Sequence, residues 1–115
     1  MHELAVTESI LEIALRHAQS AEARQVTALH LVIGDLTSII DDSVQFYWDI
    51  IAKDTIAEGA RLYFRRIPIQ MQCLACQGQF LPENNDFTCP VCASNRVKIL
   101  NGEEFFLEAI DIQTA

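Results

Sequence analysis

Two CxxC pairs constrain this chain more than any other feature: Cys73-Leu74-Ala75-Cys76 and Cys89-Pro90-Val91-Cys92, with twelve residues between them. Each pair lets two thiolates converge on one ion, and the loop between them returns the second pair to complete a tetrahedron. Zinc favours that closed donor set, because a d10 ion has no geometric bias of its own. Three other uses of the cysteines compete. Two disulfides need an oxidising compartment, but Met1-His2-Glu3 places an acid where a signal peptide carries bases, so the cytoplasm is the expected compartment. A redox dithiol uses one CxxC and leaves the other unexplained. An iron centre held by four thiolates uses similar knuckles, and the spacing leaves it open. Four thiolates leave no position for catalysis. Cys73, Cys76, Cys89 and Cys92 are therefore expected to hold a structural Zn(II) and to fold a turn-rich stretch, 71–95, that has little apolar periodicity.

The rest of the chain reads as an ordinary α+β fold. Val6, Ile10, Ile13, Ala14 and Ala18 recur at helical spacing, which predicts a helix over 4–23. Leu29, Leu31 and Ile33 alternate within a β-branched run, 26–33, that Gly34-Asp35 ends. A second helix is expected to enter at Asp42 or Ser43 and to bury Val44, Tyr47, Trp48 and Ile51 on one face. Strands follow over 60–65 and 104–112, with a shorter one over 96–100. The expected architecture is two helices packed on a small three-stranded sheet, with an inserted four-cysteine zinc-ribbon lobe. Residues 1–70, completed by 100–115, would form the first domain and 71–99 the ribbon. His30, between Leu29 and Leu31, reads as a sheet-surface residue, and His17 as a polar-face residue of the first helix.

Composition excludes some partners. Sixteen acids against eight bases give a net charge of −8, and Arg65-Arg66 is the only adjacent basic pair. Nucleic-acid affinity comes mainly from Lys and Arg neutralising phosphates, so nucleic acid is not an expected partner. A cation, or a protein with a basic face, suits this balance better. No window approaches the roughly 20 apolar residues of a membrane span, so no membrane association is expected. GxSxG, HExxH and a phosphate loop are all missing, which argues against a hydrolytic enzyme.

The N-terminus adds a second metal chemistry. The Met1 amine, the His2 backbone nitrogen and the His2 imidazole can close fused chelate rings on one ion. A further nitrogen or the carboxylate of Glu3 can complete the set. A planar nitrogen site suits Ni(II) or Cu(II) better than zinc.

Taken together, several segments resemble the HypA/HybF family of nickel-insertion accessory proteins for [NiFe]-hydrogenase maturation. They are Met1-His2-Glu3, Ile33-Gly34-Asp35-Leu36, Ala57-Glu58-Gly59-Ala60-Arg61-Leu62, and the double CxxC followed by Asn101-Gly102-Glu103-Glu104-Phe105. The resemblance runs from residue 1 to about residue 112. It implies a metallochaperone rather than an enzyme, with a transferable Ni(II) held by Met1 and His2 and with Glu3 in or beside the site. It also implies a carboxylate nearby at Asp41, with Asp42 an equal claimant, and a separate structural zinc on the four cysteines. Implied partners are a HypB-type nucleotide-hydrolysing nickel-insertion protein and the hydrogenase large subunit, with urease maturation as a further role in some organisms. The competing reading is a zinc-ribbon adaptor or regulatory module in which His2 is incidental.

Overall fold

The computed structural model describes residues 3–84 and 86–114. In chain order the elements are α1 (Glu3–Ser20), β1 (Ala23–Gly34), a 3-10 turn (Asp35–Thr37), α2 (Asp41–Ile51), β2 (Arg61–Ile67), β3 (Gln70–Cys73), β4 (Gln79–Phe80), β5 (Val97–Asn101) and β6 (Phe105–Thr114). They form two three-stranded sheets, ordered β2-β1-β6 and β4-β3-β5. By backbone proximity the chain divides into two compact units. The first comprises Met1–Val32, Ser38–Arg65 and Phe106–Ala115; the second comprises Ile33–Thr37 and Arg66–Phe105.

In the first unit, α1 buries Thr7, Ile10, Ala14 and Ala18, the three- and four-residue spacing of one helix face. Thr7 is the polar member, and its hydroxyl donates to the Glu3 carbonyl one turn back. The helix stops at Ser20, three residues short of expectation, because Glu22 takes a left-handed φ of 55° and turns the chain into β1. Helix α2 packs on α1 and buries Val44 and Trp48, with Tyr47 and Ile51 half-buried beside them. It begins at Asp41, with Ile40 in the cap position and no side-chain cap. Asp41 and Asp42 therefore lie in the first turn, where carboxylates favour the positive end of the helix dipole, and not at the cap.

Strand β1 lies between β2 and β6, and Val26, Ala28, Leu29, Leu31, Val32 and Ile33 are all buried along it. The strict alternation expected of a half-exposed strand gives way because a central strand can be covered on both faces. Between Val26 and Ile33, Thr27 is half-exposed, and so is His30. Its ring stacks on Tyr63 (centroids 5.2 Å apart, 11° between planes), and its Nε2 lies 3.1 Å from the Asp111 carboxylate. That is the sheet-surface role the sequence suggested.

The 52–60 connection is a run of turns that buries Ala52, Ala57 and Ala60. The Thr55 hydroxyl donates to the Ala52 carbonyl and accepts from the Ala57 N–H, while Gly59 supplies a φ of 77°. The Ile56 carbonyl accepts from the Val26 N–H at 2.9 Å, tying this connection to β1. Among the described residues, no helix is long and apolar enough to cross a membrane.

The second unit has a smaller sheet. Met71 pairs with Phe80 of β4 and Ile99 of β5, and Cys73 pairs with Val97 at the end of the ladder. Strands β3 and β4 were not foreseen in the turn-rich stretch, because four and two residues are too few for a periodic signal. A second feature of this unit joins two distant segments. Gly34 N–H donates to Glu104 O at 2.7 Å, and Leu36 N–H to Gly102 O at 2.8 Å. A Cβ on Gly34 would meet the Gly102 carbonyl oxygen at 2.1 Å, so no side chain fits there.

Candidate metal centre

Both knuckles are built the same way. Cys73 N–H donates to Gly78 O (2.8 Å) and Gln77 N–H returns to Cys73 O (2.9 Å). Cys89 N–H donates to Ser94 O (2.9 Å) and Ala93 N–H returns to Cys89 O (2.9 Å). Gln77 and Ala93, at equivalent positions, take φ values of 64° and 60°. A left-handed residue reverses the chain within one turn, which turns the two sulfurs of each CxxC toward a common point.

The four sulfurs meet. All lie within 4.8 Å of one another, with Cys73 Sγ 3.4 Å from Cys92 Sγ and Cys76 Sγ 3.7 Å from Cys89 Sγ. A tetrahedral ion with sulfur bonds of ~2.3 Å has sulfur–sulfur edges of roughly 3.8 Å, so the donor set fits zinc in number and size. Cys73 and Cys89 are buried, and Cys76 and Cys92 are exposed. Cys73 is lowered to about 6, chiefly by the Cys76 N–H, with burial opposing and the Ala75 N–H adding. Cys89 is lowered by the N–H groups of Cys92 and Val91. The Ser94 N–H pulls Cys92 down, but the Cys73 sulfur, burial and the other two sulfurs outweigh it and push Cys92 up to about 12. Four sulfurs this close resist ionising together unless a cation shares their charge.

The nickel candidates stand differently. Met1 and His2 lie outside the described residues. Glu3 is the first residue of α1, and Asp41 and Asp42 open α2, the helix packed against it. His17 lies fourteen residues along α1 from Glu3, about 21 Å at the helical rise, too far to share an ion with it. It is exposed in the last helical turn, beside a hollow also lined by Ile13, Leu107 and Ile110. Sequence reading missed the matching left-handed residues of the knuckles. The equal offset of Gln77 and Ala93 from each first cysteine was the available signal.

These features define a class: a small α+β protein whose four converging cysteines are suited to holding a metal ion. The chain belongs to the HypA family, since a family model described as hydrogenase/urease nickel incorporation, metallochaperone, hypA, matches residues 1–112. The hydrogenase maturation factor HypA of Caldanaerobacter subterraneus subsp. tengcongensis is 40% identical over 114 residues, covering 98% of this chain and 100% of that one. Its counterpart in Dehalococcoides mccartyi strain 195 is 38% identical over 112 residues, covering 97% and 94%. Two solved structures share the fold. The solution structure of the Ni metallochaperone HypA from Helicobacter pylori has a TM-score of 0.66 at 22% identity, covering 100% of both chains. A second HypA solution structure gives 0.73 at 21%, covering 100% of this chain and 98% of that one.

Proposed function

We propose that this protein captures Ni(II) at its free N-terminus and delivers it to the large subunit of a [NiFe]-hydrogenase. In this reading the Met1 amine, the His2 imidazole and adjacent backbone nitrogens hold the nickel, with Glu3 in or beside the site and Asp41 or Asp42 as an outer carboxylate. Cys73, Cys76, Cys89 and Cys92 hold a structural Zn(II), whose chemistry is to fold and fix the ribbon of residues 71–99. A HypB-type nucleotide-hydrolysing protein is the expected partner. The cytoplasm is the expected setting, because free thiolates of this kind need reducing conditions.

The observation that carries this reading is that Glu3 is the first residue of α1. The first four N–H groups of a helix have no intrahelical carbonyl partner. A metal can therefore displace the Glu3 amide proton without breaking a helical hydrogen bond. The same helix end carries partial positive charge that opposes a cation, which favours release over permanent binding. An α-amine (about 8) and an imidazole (about 6.5) also compete for protons near neutrality, so mild acid should loosen the nickel.

The test compares tag-free, zinc-loaded protein with a form carrying Gly-Ser-Gly before Met1, each titrated with Ni(II) by calorimetry and visible spectroscopy. The native form is expected to bind one planar nickel and the extended form to bind none. Equal binding by both, or by neither, would leave a zinc-ribbon adaptor as the better account.

A further inference from the structure

Helix α2 presents an outer stripe that local helix physics does not favour. Asp42, Phe46 and Asp49 follow at i, i+4 and i+7, and Ile50 lies four residues after Phe46, so all four share the side opposite Val44 and Trp48. Phe46 is 60% exposed and Ile50 57% exposed. Asp49 is in the last turn, where unpaired carbonyls carry partial negative charge and a base would be favoured. Its carboxylate accepts a neutral donor, the Gln45 amide, at 2.9 Å. Helix α2 carries three aspartates and no Lys or Arg, and the next base along the chain is Lys53. Past Phe46, whose ring meets Tyr47 edge-on, Tyr47 and Leu4 of α1 border a shallow hollow of about 400 Å3 completed by Glu3, Ala5 and Glu8. An apolar centre therefore runs between two acidic margins, Asp42 and Asp49 on one side and Glu3 and Glu8 on the other.

We propose that this face docks a partner segment of complementary chemistry: an amphipathic helix whose apolar stripe is flanked by Lys or Arg. The proposal deepens the accessory-protein reading, since it assigns the surface by which such a protein would engage a partner beside its N-terminus. A second copy of the chain is a poor occupant, because a two-fold contact would set acidic margins against each other. An anionic membrane is disfavoured for the same reason. Phe46 and Ile50 would supply the apolar anchors, and the carboxylates would set orientation and association rate.

The test uses isotope-labelled, zinc-loaded full chain and two synthetic amphipathic peptides about 18 residues long, with identical Leu stripes flanked by Lys in one and by Glu in the other. The Lys peptide is expected to bind, shifting amide signals around Phe46, Asp49, Ile50 and Leu4, and Phe46→Ser with Ile50→Ser should abolish that binding. Asp49→Lys should weaken the Lys peptide about tenfold and strengthen the Glu peptide. It should do so without lowering Tm, since a base suits the last turn of a helix. No binding, equal binding of both peptides, shifts mapping to another surface, or a concentration-dependent dimer lost with Phe46→Ser would each overturn the proposal. Nickel titration of the Phe46→Ser form reads the metal function separately, so failure of docking and failure of the nickel reading are distinguishable.

Discussion

The two compact units solve the folding problem with different materials. The first buries Ile10, Ala14 and Ala18 from α1, Val26, Ala28, Leu29, Leu31 and Val32 from β1, and Val44 and Trp48 from α2. The second buries Ile33 and Met71, and beyond them the sulfurs of Cys73 and Cys89; no residue of β5 is buried. Fully burying a Leu or Val side chain contributes roughly 1.5–3 kcal/mol, so apolar burial stabilises the first unit far more than the second. In the proposed reading, a metal ion on the four thiolates supplies what the second unit lacks in apolar core. The first unit is held by exclusion of water and the second, in the proposed reading, by coordination.

The largest expected effect follows from that contrast. Stripping the metal with a chelator, or substituting Cys73→Ser, should remove amide-exchange protection from β3, β4 and β5 while α1 and α2 keep theirs. Hydrogen exchange read segment by segment checks it, and simultaneous loss in both units would break the comparison. Next in size is Trp48→Ala, which removes a fully buried side chain from the first unit. It should cost about 3–5 kcal/mol of that unit's stability, read by thermal unfolding, while cobalt substituted at the four thiolates keeps its tetrahedral spectrum. The smallest is Ala93→Gly. Relieving a left-handed residue at φ 60° gains up to about 1 kcal/mol, offset in part by the freer unfolded chain. Metal affinity should stay level or rise slightly, measured by competition with a chromophoric chelator. A clear fall would show that the knuckle's left-handed turn is not strained.

Much of this was legible in the residues. The CxxC spacing announced a tetrathiolate because metal ligation needs particular side chains at short fixed offsets, and that information is local. Both helices and the strands β1, β2 and β6 were legible because a face that must leave water writes its period into the chain. Where expectation and structure parted, a neighbour decided. The cap of α2 went to Ile40, which no residue preference points to. Val32 lies on the same side of β1 as the surface residue His30, yet it is buried, and its two flanking strands come from residues far away in the chain.

The sequence alone determined the cysteine spacing, the helices and the family, since each rests on residue identity at short range or on segments matched one by one. It also contained the Gly34 and Gly102 motifs, but not their reason: the tertiary structure puts those two backbones so close that a Cβ on Gly34 would lie 2.1 Å from a carbonyl oxygen. Likewise, only the packed helices show that Phe46 and Ile50 stay in water with acids on either side. Periodicity records which residues are apolar, and exposure depends on what the rest of the chain leaves uncovered.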